Sequence, residues 1–238
     1  MGMSLEGRVA IVSGATGGLG PVVARRLLDE GARLALFATS PKKLDALATK
    51  LDAGTDRVMA SAVDLRDTDA TAAAVEAVRT RFGGAQILAH LVGGYSAGAP
   101  LGEAGRDELG AMLDQHVWTT FNLARAVVPH LLAGGWGRIV AVSPTTVATP
   151  GPNMAPYVTA KAGQEALLMA LARELKGTGG TANVLVVRAI DVDHVRDREP
   201  SPKTAAWTTP EEVAAAIVYL CSDEAHVVNG ARIPLNGG

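Results

Sequence analysis

Tyr157 and Lys161 are the residues whose types and spacing point most directly to chemistry. They are four positions apart, so on a helix both side chains project from the same face. A phenol with a pKa of about 10 is a poor acid–base group at neutral pH, and a nearby ammonium group favours its ionised form. Carbonyl reduction needs a proton for the alkoxide that forms, so the pair predicts proton transfer coupled to reduction. A Tyr-xxx-Lys pair taken alone is more often an ordinary helix surface.

A glycine-rich segment, residues 14–20, lies between a short apolar run and an amphipathic one. Gly14, Gly18 and Gly20 suit a turn that passes close to a phosphate, because glycine has no Cβ in the way. A helix that starts there offers free N–H groups and the positive end of its dipole. Pro21 fits the first helical turn, where a missing N–H costs nothing. The segment predicts a dinucleotide-binding turn, and the alternative is a glycine-rich loop without a ligand.

Apolar runs alternate with longer segments of helical period along the chain. Runs that are apolar throughout are typical of parallel strands covered by helices on both faces. We therefore predict an α/β, single-domain Rossmann fold, with a doubly wound seven-stranded parallel sheet flanked by helices. The predicted strands are residues 8–13, 33–38, 58–63, 87–92, 138–143, 184–189 and 231–235, and the predicted helices are residues 18–30, 41–53, 68–82, 106–133, 157–176 and 210–222.

The length of 238 residues fits one large domain, so residues 1–238 are predicted to form a single dinucleotide-binding and catalytic unit. Residues 191–208 are charged, contain two prolines and lack periodicity. We expect this stretch to be a substrate loop over the site. The helix after it is predicted to begin with a capping box, in which Thr209 and Glu212 satisfy each other's backbone N–H groups.

Composition excludes several classes of function. Lys plus Arg (22) nearly balances Asp plus Glu (24), giving a net charge of −2, so the basic excess of a nucleic-acid binder is missing. A single cysteine, Cys221, allows no intrachain disulfide, and no apolar run approaches the length of a membrane span. We expect a cytoplasmic protein with no nucleic-acid or membrane partner. Asp191, Asp193 and His194 match no usual ligand spacing, so no metal is expected.

These features together resemble the short-chain dehydrogenase/reductase superfamily. The glycine spacing, Asp64-Leu65 after the third strand, Tyr157-Val158-Thr159-Ala160-Lys161 and the ending 229–238 occur in the family's order. The resemblance implies a nicotinamide cofactor, a small-molecule substrate and a homotetramer or homodimer. It also implies that Tyr157 donates the proton, and that Lys161 lowers the tyrosine's pKa and bonds the nicotinamide ribose. The cofactor contacts it implies are Gly14, Thr16, Gly18, Leu19, Gly20, Thr39, Ser40, Asp64, Leu65, Gly93, Tyr157, Lys161 and Ile190.

Cofactor selectivity is predicted from the end of the second strand. The acid that usually selects NAD is replaced there by Ala38. Thr39, Ser40, Lys42 and Lys43 follow, and their hydroxyls and cations suit a 2′-phosphate. We therefore expect NADP(H) to be preferred, with NAD(H) as the alternative. The two lysines fit a solvated helix start equally well.

The chain departs from the family pattern where the substrate oxygen would be held. The family places a serine thirteen residues before the tyrosine, and here that position is Pro144, which has no donor. Ser143 is adjacent, although a shift of one residue is expected to turn its side chain to the other face of the sheet. Thr145 or Thr146 could reach the site if the chain bends after Pro144.

Further departures concern the asparagines and the Pro-Gly pair of the family. The helix asparagine becomes His116, which fits either a proton relay to Lys161 through water or a half-buried histidine. The Asn-Asn-Ala-Gly motif reads His90-Leu91-Val92-Gly93, and we expect backbone groups to satisfy His90. The Pro-Gly pair is replaced within residues 190–193, Ile-Asp-Val-Asp.

Loss of the serine is shared with the dihydropteridine reductase branch of the superfamily, whose quinonoid substrate accepts hydride without carbonyl polarisation. Residues 92–95, 117–119 and 206–208 are similar to that branch. The resemblance implies an NADP(H)-dependent oxidoreductase that transfers hydride to a small carbonyl or quinone-like substrate, with Ser143, Thr145 and His116 as auxiliary groups. The alternatives are a quinonoid pterin reductase and a pseudo-enzyme that binds nucleotide without catalysis.

Overall fold

The computed structural model of the chain describes residues 5–96 and 98–236. The predicted domain limits, 1–238, and the predicted ending, 229–238, therefore include positions outside the described residues. Within them the strands are β1 (Val9–Ser13), β2 (Arg33–Ala38), β3 (Val58–Ala62), β4 (Ile87–His90), β5 (Gly137–Pro144), β6 (Gly180–Val187) and β7 (Arg232–Leu235).

All seven strands pair in parallel in one sheet of order β3-β2-β1-β4-β5-β6-β7. The predicted Rossmann-type sheet is confirmed. The direction of strand progression reverses between β1 and β4, and open α/β sheets bind their ligands at such a reversal. The register places Ser13 beside His90 there, and Pro144 beside Val187 at the ends of β5 and β6.

Helices cover both faces of the sheet. One face packs against α1, α2 and α8, and the other packs against α3, α5 and α6, so the core consists of two apolar layers. No helix of residues 5–96 and 98–236 is long and apolar enough to cross a bilayer. The helices are α1 (Gly20–Asp29), α2 (Pro41–Leu51), α3 (Thr68–Phe82), α4 (Arg106–Leu113), α5 (Thr119–Gly134), α6 (Ala155–Glu174), α7 (Val195–Arg198) and α8 (Pro210–Cys221).

The start of α8 shows how local sequence sets a helix boundary. The Thr209 N–H donates to Glu212 Oε2 at 2.8 Å, and the Glu212 N–H donates to Thr209 Oγ1 at 3.3 Å. Pro210 occupies the first helical turn. The predicted capping box is confirmed, and it fixes the point at which residues 191–208 rejoin the fold.

The predicted helix over residues 106–133 is wrong as a single element. It consists of α4, a π-helical turn at Asp114–Trp118, and α5. A π-turn inserts one extra residue per turn, rotates the following residues about the helix axis and is frequent at functional sites. His116 lies in this turn. The sequence contains no glycine or proline in residues 114–118 to mark it.

Candidate active site

A cleft of about 610 Å³ opens at the carboxyl ends of β1, β4, β5 and β6. Its volume lies in the usual range for small-molecule and cofactor sites. Tyr157, Lys161 and the glycine-rich turn share this cleft, so the structure brings the two strongest sequence features together. The lining residues come from Gly14 and residues 17–20, from 91–95, from 142–144 with Thr146, from Met154, Tyr157 and Lys161, and from 187–190 with Val192.

The glycine-rich turn is packed too tightly for side chains. Gly14 has a φ of +70°, and an added Cβ would lie 2.8 Å from the Leu91 carbonyl. At Gly20 an added Cβ would overlap the Ala15 carbonyl oxygen. The first helix begins at Gly20 rather than at the predicted residue 18, with Pro21 in its first turn. Gly17 and Gly18 are exposed just before the start of α1, where an anion is favoured.

Tyr157 lies near the start of α6 and is 8% exposed. Burial, with a smaller contribution from Tyr95, raises the pKa of its phenol to about 12. Its ring meets the rings of Tyr95 and His116 edge-on, with centroids 5.2 and 5.7 Å away. The phenol is therefore protonated at neutral pH and held by aromatic contacts on two sides.

Lys161 is the buried cation of the site. Its ammonium group donates to the Val142 carbonyl at 3.0 Å and to Gln164 Oε1 at 2.9 Å. Burial lowers the pKa of Lys161 to about 8. The negative charge of Glu165 raises this pKa and so partly opposes the effect of burial. The ammonium form therefore prevails at neutral pH. Because an ammonium has three N–H groups, two bonds leave one for a ligand in the cleft.

Ser143 lies on the face of the sheet that carries Tyr157, which corrects the expectation that it turns away. Side chains alternate along β5, and Ile139 and Ala141 belong to the layer under α6. Ser143 continues that series and lines the cleft. Its Oγ is buried without a hydrogen-bond partner among the described residues. A buried hydroxyl without a partner is costly, so this one is available to a ligand.

The two threonines after Pro144 differ in position. The chain bends after Pro144 into a 3₁₀ turn at Thr145–Val147. Thr146 lines the cleft, and its Oγ1 is buried without a partner among the described residues. Thr145 belongs to the same turn and is half-buried, but it is not among the residues that line the cleft. The structure thus brings Ser143 and Thr146 to the site and not Thr145.

His116 is fully buried rather than half-buried. Its Nε2 donates to the Gly94 carbonyl at 3.1 Å, and its Nδ1 has no partner among the described residues. Burial, with a further contribution from the positive charge of Lys161, lowers its pKa to about 4. It is therefore a neutral imidazole next to the tyrosine ring.

His90 does not rely on backbone groups, so that expectation is wrong. Its Nδ1 lies 2.7 Å from Ser13 Oγ and its Nε2 lies 2.9 Å from Thr120 Oγ1. Burial lowers its pKa to about 3, and the charges of Lys161 and His116 act in the same direction. Register explains the first contact, because Ser13 and His90 are neighbours across β1 and β4.

The predicted selectivity residues lie at the end of β2 and the start of α2, outside the cleft lining. Ala38 ends β2, and Thr39 follows it with an exposed side chain. Ser40 caps α2, its Oγ accepting from the Lys43 N–H at 3.4 Å. Lys42 and Lys43 are exposed, and the described residues provide no ion-pair partner for either. Two cations therefore stand free where a 2′-phosphate is predicted.

Asp64 and Leu65 are placed outside the cleft lining. The Asp64 carboxylate forms an ion pair with Arg66 at 2.6 Å, and hydrogen bonds from Arg66 lower the pKa of that carboxyl. The Leu65 side chain is buried, and its carbonyl accepts from Asn122 at 3.0 Å. Thr16 is half-buried in the turn, whereas Leu19, Gly93 and Ile190 line the cleft. The adenine-side assignments stay predictions.

Comparison with known proteins fits this geometry. The model of the short chain dehydrogenase family matches residues 8–203. The chain belongs to the short-chain dehydrogenase family. It is 32% identical to a 2,3-dihydroxy-2,3-dihydro-p-cumate dehydrogenase of Pseudomonas putida, over 99% of this chain and 95% of that protein.

Two solved structures superpose along nearly the whole chain. A short-chain oxidoreductase of Pseudomonas aeruginosa PAO1, described as containing an atypical catalytic center, matches with a TM-score of 0.88 and 25% identity, covering 99% of this chain and 98% of that one. NAD⁺-bound xylitol dehydrogenase matches with a TM-score of 0.86 and 22% identity, over 98% and 99%. The second likeness establishes the fold alone.

In this short-chain dehydrogenase residues 191–208, the predicted substrate loop, contain α7 and contribute Val192 to the cleft lining. Asp191 accepts the N–H groups of Val195 and Arg196, both at 2.8 Å, and so caps α7. Arg196 pairs with Glu212 at 2.8 Å, tying the loop to α8. The Val192 side chain lies against Gly18, where an added Cβ would be 2.8 Å from Cγ2. Asp191 is thus a structural cap, and the described residues contain no grouping suited to a metal.

Two cleft residues and one buried residue were missed from the sequence. Tyr95 packs on Tyr157, and Arg188 brings a second cation to the cleft just after β6. Gln164 contacts Lys161 one turn along α6. The available signal for Gln164 was a polar residue at i+3 from the lysine, on the face already assigned to the site.

Proposed function

We propose that this short-chain dehydrogenase is an NADP(H)-dependent reductase of a small carbonyl or quinone-like substrate. The observation that carries the proposal is that the Tyr157 phenol and the Lys161 ammonium line one cleft with the glycine-rich turn. The bound nicotinamide dinucleotide would supply the hydride, and the reverse reaction would return it. The protein residues would bind, orient and move one proton.

Tyr157 is the proton donor in this proposal. As the substrate oxygen gains charge, the phenol O–H passes its proton to that oxygen, and the phenolate is left on Tyr157. Burial opposes the phenolate, since it raises the pKa of Tyr157 to about 12. In the proposal the Lys161 ammonium would offset this cost as the phenolate forms, because a nearby positive charge favours the ionised phenol. One hydride and one proton add across the C=O bond, so electrons and atoms balance.

Ser143 and Thr146 are proposed to hold the substrate oxygen in place of the family serine. Both hydroxyl oxygens are buried without partners among the described residues, and both residues line the cleft. Donors aimed at developing oxyanion charge in a site shielded from water are among the largest contributions to catalysis. Pro144 supplies no donor of its own.

The cleft suits an anionic dinucleotide. Among its described lining residues there are two cations, Lys161 and Arg188, and no carboxylate. Gly14 and Gly20 have no room for a Cβ against the Leu91 and Ala15 backbone, so the turn stays compact beside the start of α1, where a diphosphate is favoured. Ala38 in place of an acid, with Lys42 and Lys43 free, supports NADP(H) over NAD(H).

Assembly into a homodimer or homotetramer and a cytoplasmic location belong to the proposal. Trp118, Phe121 and Leu132 are 50%, 40% and 47% exposed along one helical stretch. Large apolar side chains exposed together favour contact with a second copy. Cys221, the single cysteine, is buried and free, as in a reducing compartment.

The second candidate function is nucleotide binding without turnover. The Pro144 position favours it, because the usual donor to a carbonyl is lost there. A quinonoid pterin is the substrate variant that needs no such donor. The two candidate functions differ in one result: only the reductase turns over a substrate once the cofactor is bound.

The experiment is a paired titration of the purified protein with NADPH and NADH, read by nucleotide fluorescence, followed by NADPH oxidation with carbonyl, quinone and quinonoid dihydropteridine substrates. The proposal expects tighter binding of NADPH and turnover of at least one substrate class. Preference for NADH would overturn the cofactor assignment. Binding without turnover on any class would establish the second candidate.

A further inference from the structure

Lys161 is connected to the opposite side of the site by a buried row of polar side chains. Gln164 Nε2 donates to Thr120 Oγ1 at 2.8 Å, and Thr120 Oγ1 lies 2.9 Å from His90 Nε2. His90 Nδ1 in turn lies 2.7 Å from Ser13 Oγ. Gln164, Thr120, His90 and Ser13 are all at most 3% exposed. Four elements, α6, α5, β4 and β1, contribute one member each.

The direction of each hydrogen bond in this row is determined by chemistry. Thr120 Oγ1 lies 2.6 Å from the His116 carbonyl oxygen, and a carbonyl only accepts, so the single Thr120 proton is committed there. Thr120 must then accept from both Gln164 Nε2 and His90 Nε2. A neutral imidazole with its proton on Nε2 has an acceptor at Nδ1, and Ser13 supplies the O–H that fills it.

The orientation of the Gln164 amide follows from both ends independently. An ammonium only donates, so the atom facing Lys161 must be Oε1. At the other end, a flipped amide would set Oε1 against Thr120 Oγ1, whose proton is already used. Two oxygens without a proton between them repel. The hydrogen bonds from Ser13 through His90 to Thr120 therefore exclude an exchange of Oε1 and Nε2 in the Gln164 amide.

We propose that Gln164 is a positioning residue: its amide oxygen holds the Lys161 ammonium in the cleft, and Thr120 and His90 fix the orientation of that amide. The inference rests on the proposed function only for the role of Lys161. Two fixed acceptors, Val142 O and Gln164 Oε1, bind two N–H groups of Lys161 and so set the direction of the third. In the proposed reaction this keeps the lysine charged and in place beside Tyr157.

Titratable groups surround Lys161 on several elements, and only Glu165 is charged near pH 7. Tyr157 and Glu165 share α6 with it, His116 approaches from the π-helical turn and His90 from β4. Glu165 is paired with Arg232 at 2.7 Å, which offsets its charge. Both histidines are neutral near pH 7, because burial lowers their pKa values to about 4 and about 3. Gln164 is therefore the polar contact of Lys161 that a substitution can remove without altering charge.

The test is a pH titration of lysine Cε signals by NMR in full-length protein labelled with ¹³Cε-lysine, which needs neither cofactor nor substrate. The chain has six lysines, so Lys161 is identified by the signal that Lys161→Met removes. Gln164→Leu is expected to lower the Lys161 pKa by about one unit, because a hydrogen bond to a charged group is lost. Gln164→Glu is expected to raise it.

Substitutions of Thr120 can be compared with the same substitution at its neighbour, Thr119. Thr120→Val should lower the Lys161 pKa in the same direction as Gln164→Leu, and Thr120→Ser, which keeps the hydroxyl, should restore it. Thr119 also donates to a carbonyl four residues back, Gln115 O at 2.7 Å, and no hydrogen bond joins it to Gln164 among the described residues. Thr119→Val should therefore leave the Lys161 pKa unchanged.

An unchanged Lys161 pKa in Gln164→Leu would overturn the inference, as would equal effects of Thr119→Val and Thr120→Val. If Gln164→Leu does not fold, the Thr120→Val and Thr120→Ser pair decides. Absence of turnover on every substrate would remove the proposed function and leave this titration as it stands. With turnover, the alkaline limb of kcat/KM should move with the Lys161 pKa across the same variants.

Discussion

Ser143 and Tyr157 line the same cleft, and alternation along β5 puts the Ser143 side chain on the face against which α6 packs. Ser143 is 2% exposed, and its Oγ has no hydrogen-bond partner among the described residues. The next residue, Pro144, has no donor to offer. A hydroxyl adjacent in sequence to the lost family serine is thus without a partner and on the face against which α6 packs.

Ser143→Ala should lower kcat/KM for a carbonyl substrate by roughly 10²-fold or more, the usual cost of removing one oxyanion donor. Binding of NADPH should change little, because the hydroxyl is proposed to act on the substrate. Steady-state kinetics and a fluorescence titration measure the two effects. Thr145→Val is the control from the same segment and should retain activity, since Thr145 is not among the residues lining the cleft.

Pro144→Ser separates the substrate classes. Pro144 lines the cleft at the very end of β5, so a serine there would add a donor at the family position, and turnover of carbonyl substrates should rise by roughly tenfold. Turnover of a quinonoid dihydropteridine should not rise, because that substrate needs no carbonyl polarisation. Equal gains for both classes would argue that the substitution acts on the fold, which thermal unfolding of the variant would reveal.

The alkaline limb of the pH profile should report Lys161. Its pKa is lowered to about 8 by burial, so the ammonium is present below that pH and lost above it. We expect kcat/KM for NADPH, which reports the free enzyme, to fall as pH rises through about 8. No fall is expected between about pH 5 and 7, because His116 has a pKa of about 4 and is already neutral.

Initial-rate assays across this pH range measure the alkaline limb. Lys176→Gln, which removes an exposed lysine, should leave that limb in place. A profile that stays level well above pH 8 would show that the charge of Lys161 is not needed in the free enzyme.

Ala38→Asp should reverse the nucleotide preference. A carboxylate at the end of β2 would bond the ribose hydroxyls and repel a 2′-phosphate. We expect the ratio of NADPH to NADH affinity to fall by roughly tenfold or more, about 1.4 kcal/mol per tenfold. Ala38→Asn has nearly the same shape without the charge, so it should leave more of the preference in place. Fluorescence titration of both variants measures the ratio, and an unchanged ratio in Ala38→Asp would contradict the assignment.

The sequence predicted the parts of this site that depend on local pattern. The glycine-rich turn, the parallel strands and the Tyr157–Lys161 pair each follow from residues that are close along the chain. The capping box at Thr209 is of the same kind. These features need no knowledge of which elements pack together.

What the sequence left open depends on contacts between distant residues. Gln164 and Thr120 form a hydrogen bond although they are 44 positions apart in the sequence, and His90 and Ser13 do so at a separation of 77. The face of Ser143 was predicted wrongly because we assumed that residue 144, at the position of the family serine, faces the site. Residue 143 would then face away from it. The layer under α6, which sets the face, is known only once Ile139 and Ala141 are placed in it. The π-turn that orients His116 carries no local signal of its own.

The most direct test of the account is NADPH oxidation by Tyr157→Phe against the unaltered protein, on a substrate that the unaltered protein turns over. Phenylalanine keeps the ring that packs on Tyr95 and removes only the proton to be donated. We predict a loss of kcat of roughly 10²- to 10⁴-fold with NADPH affinity nearly intact. Turnover at the rate of the unaltered protein would contradict it.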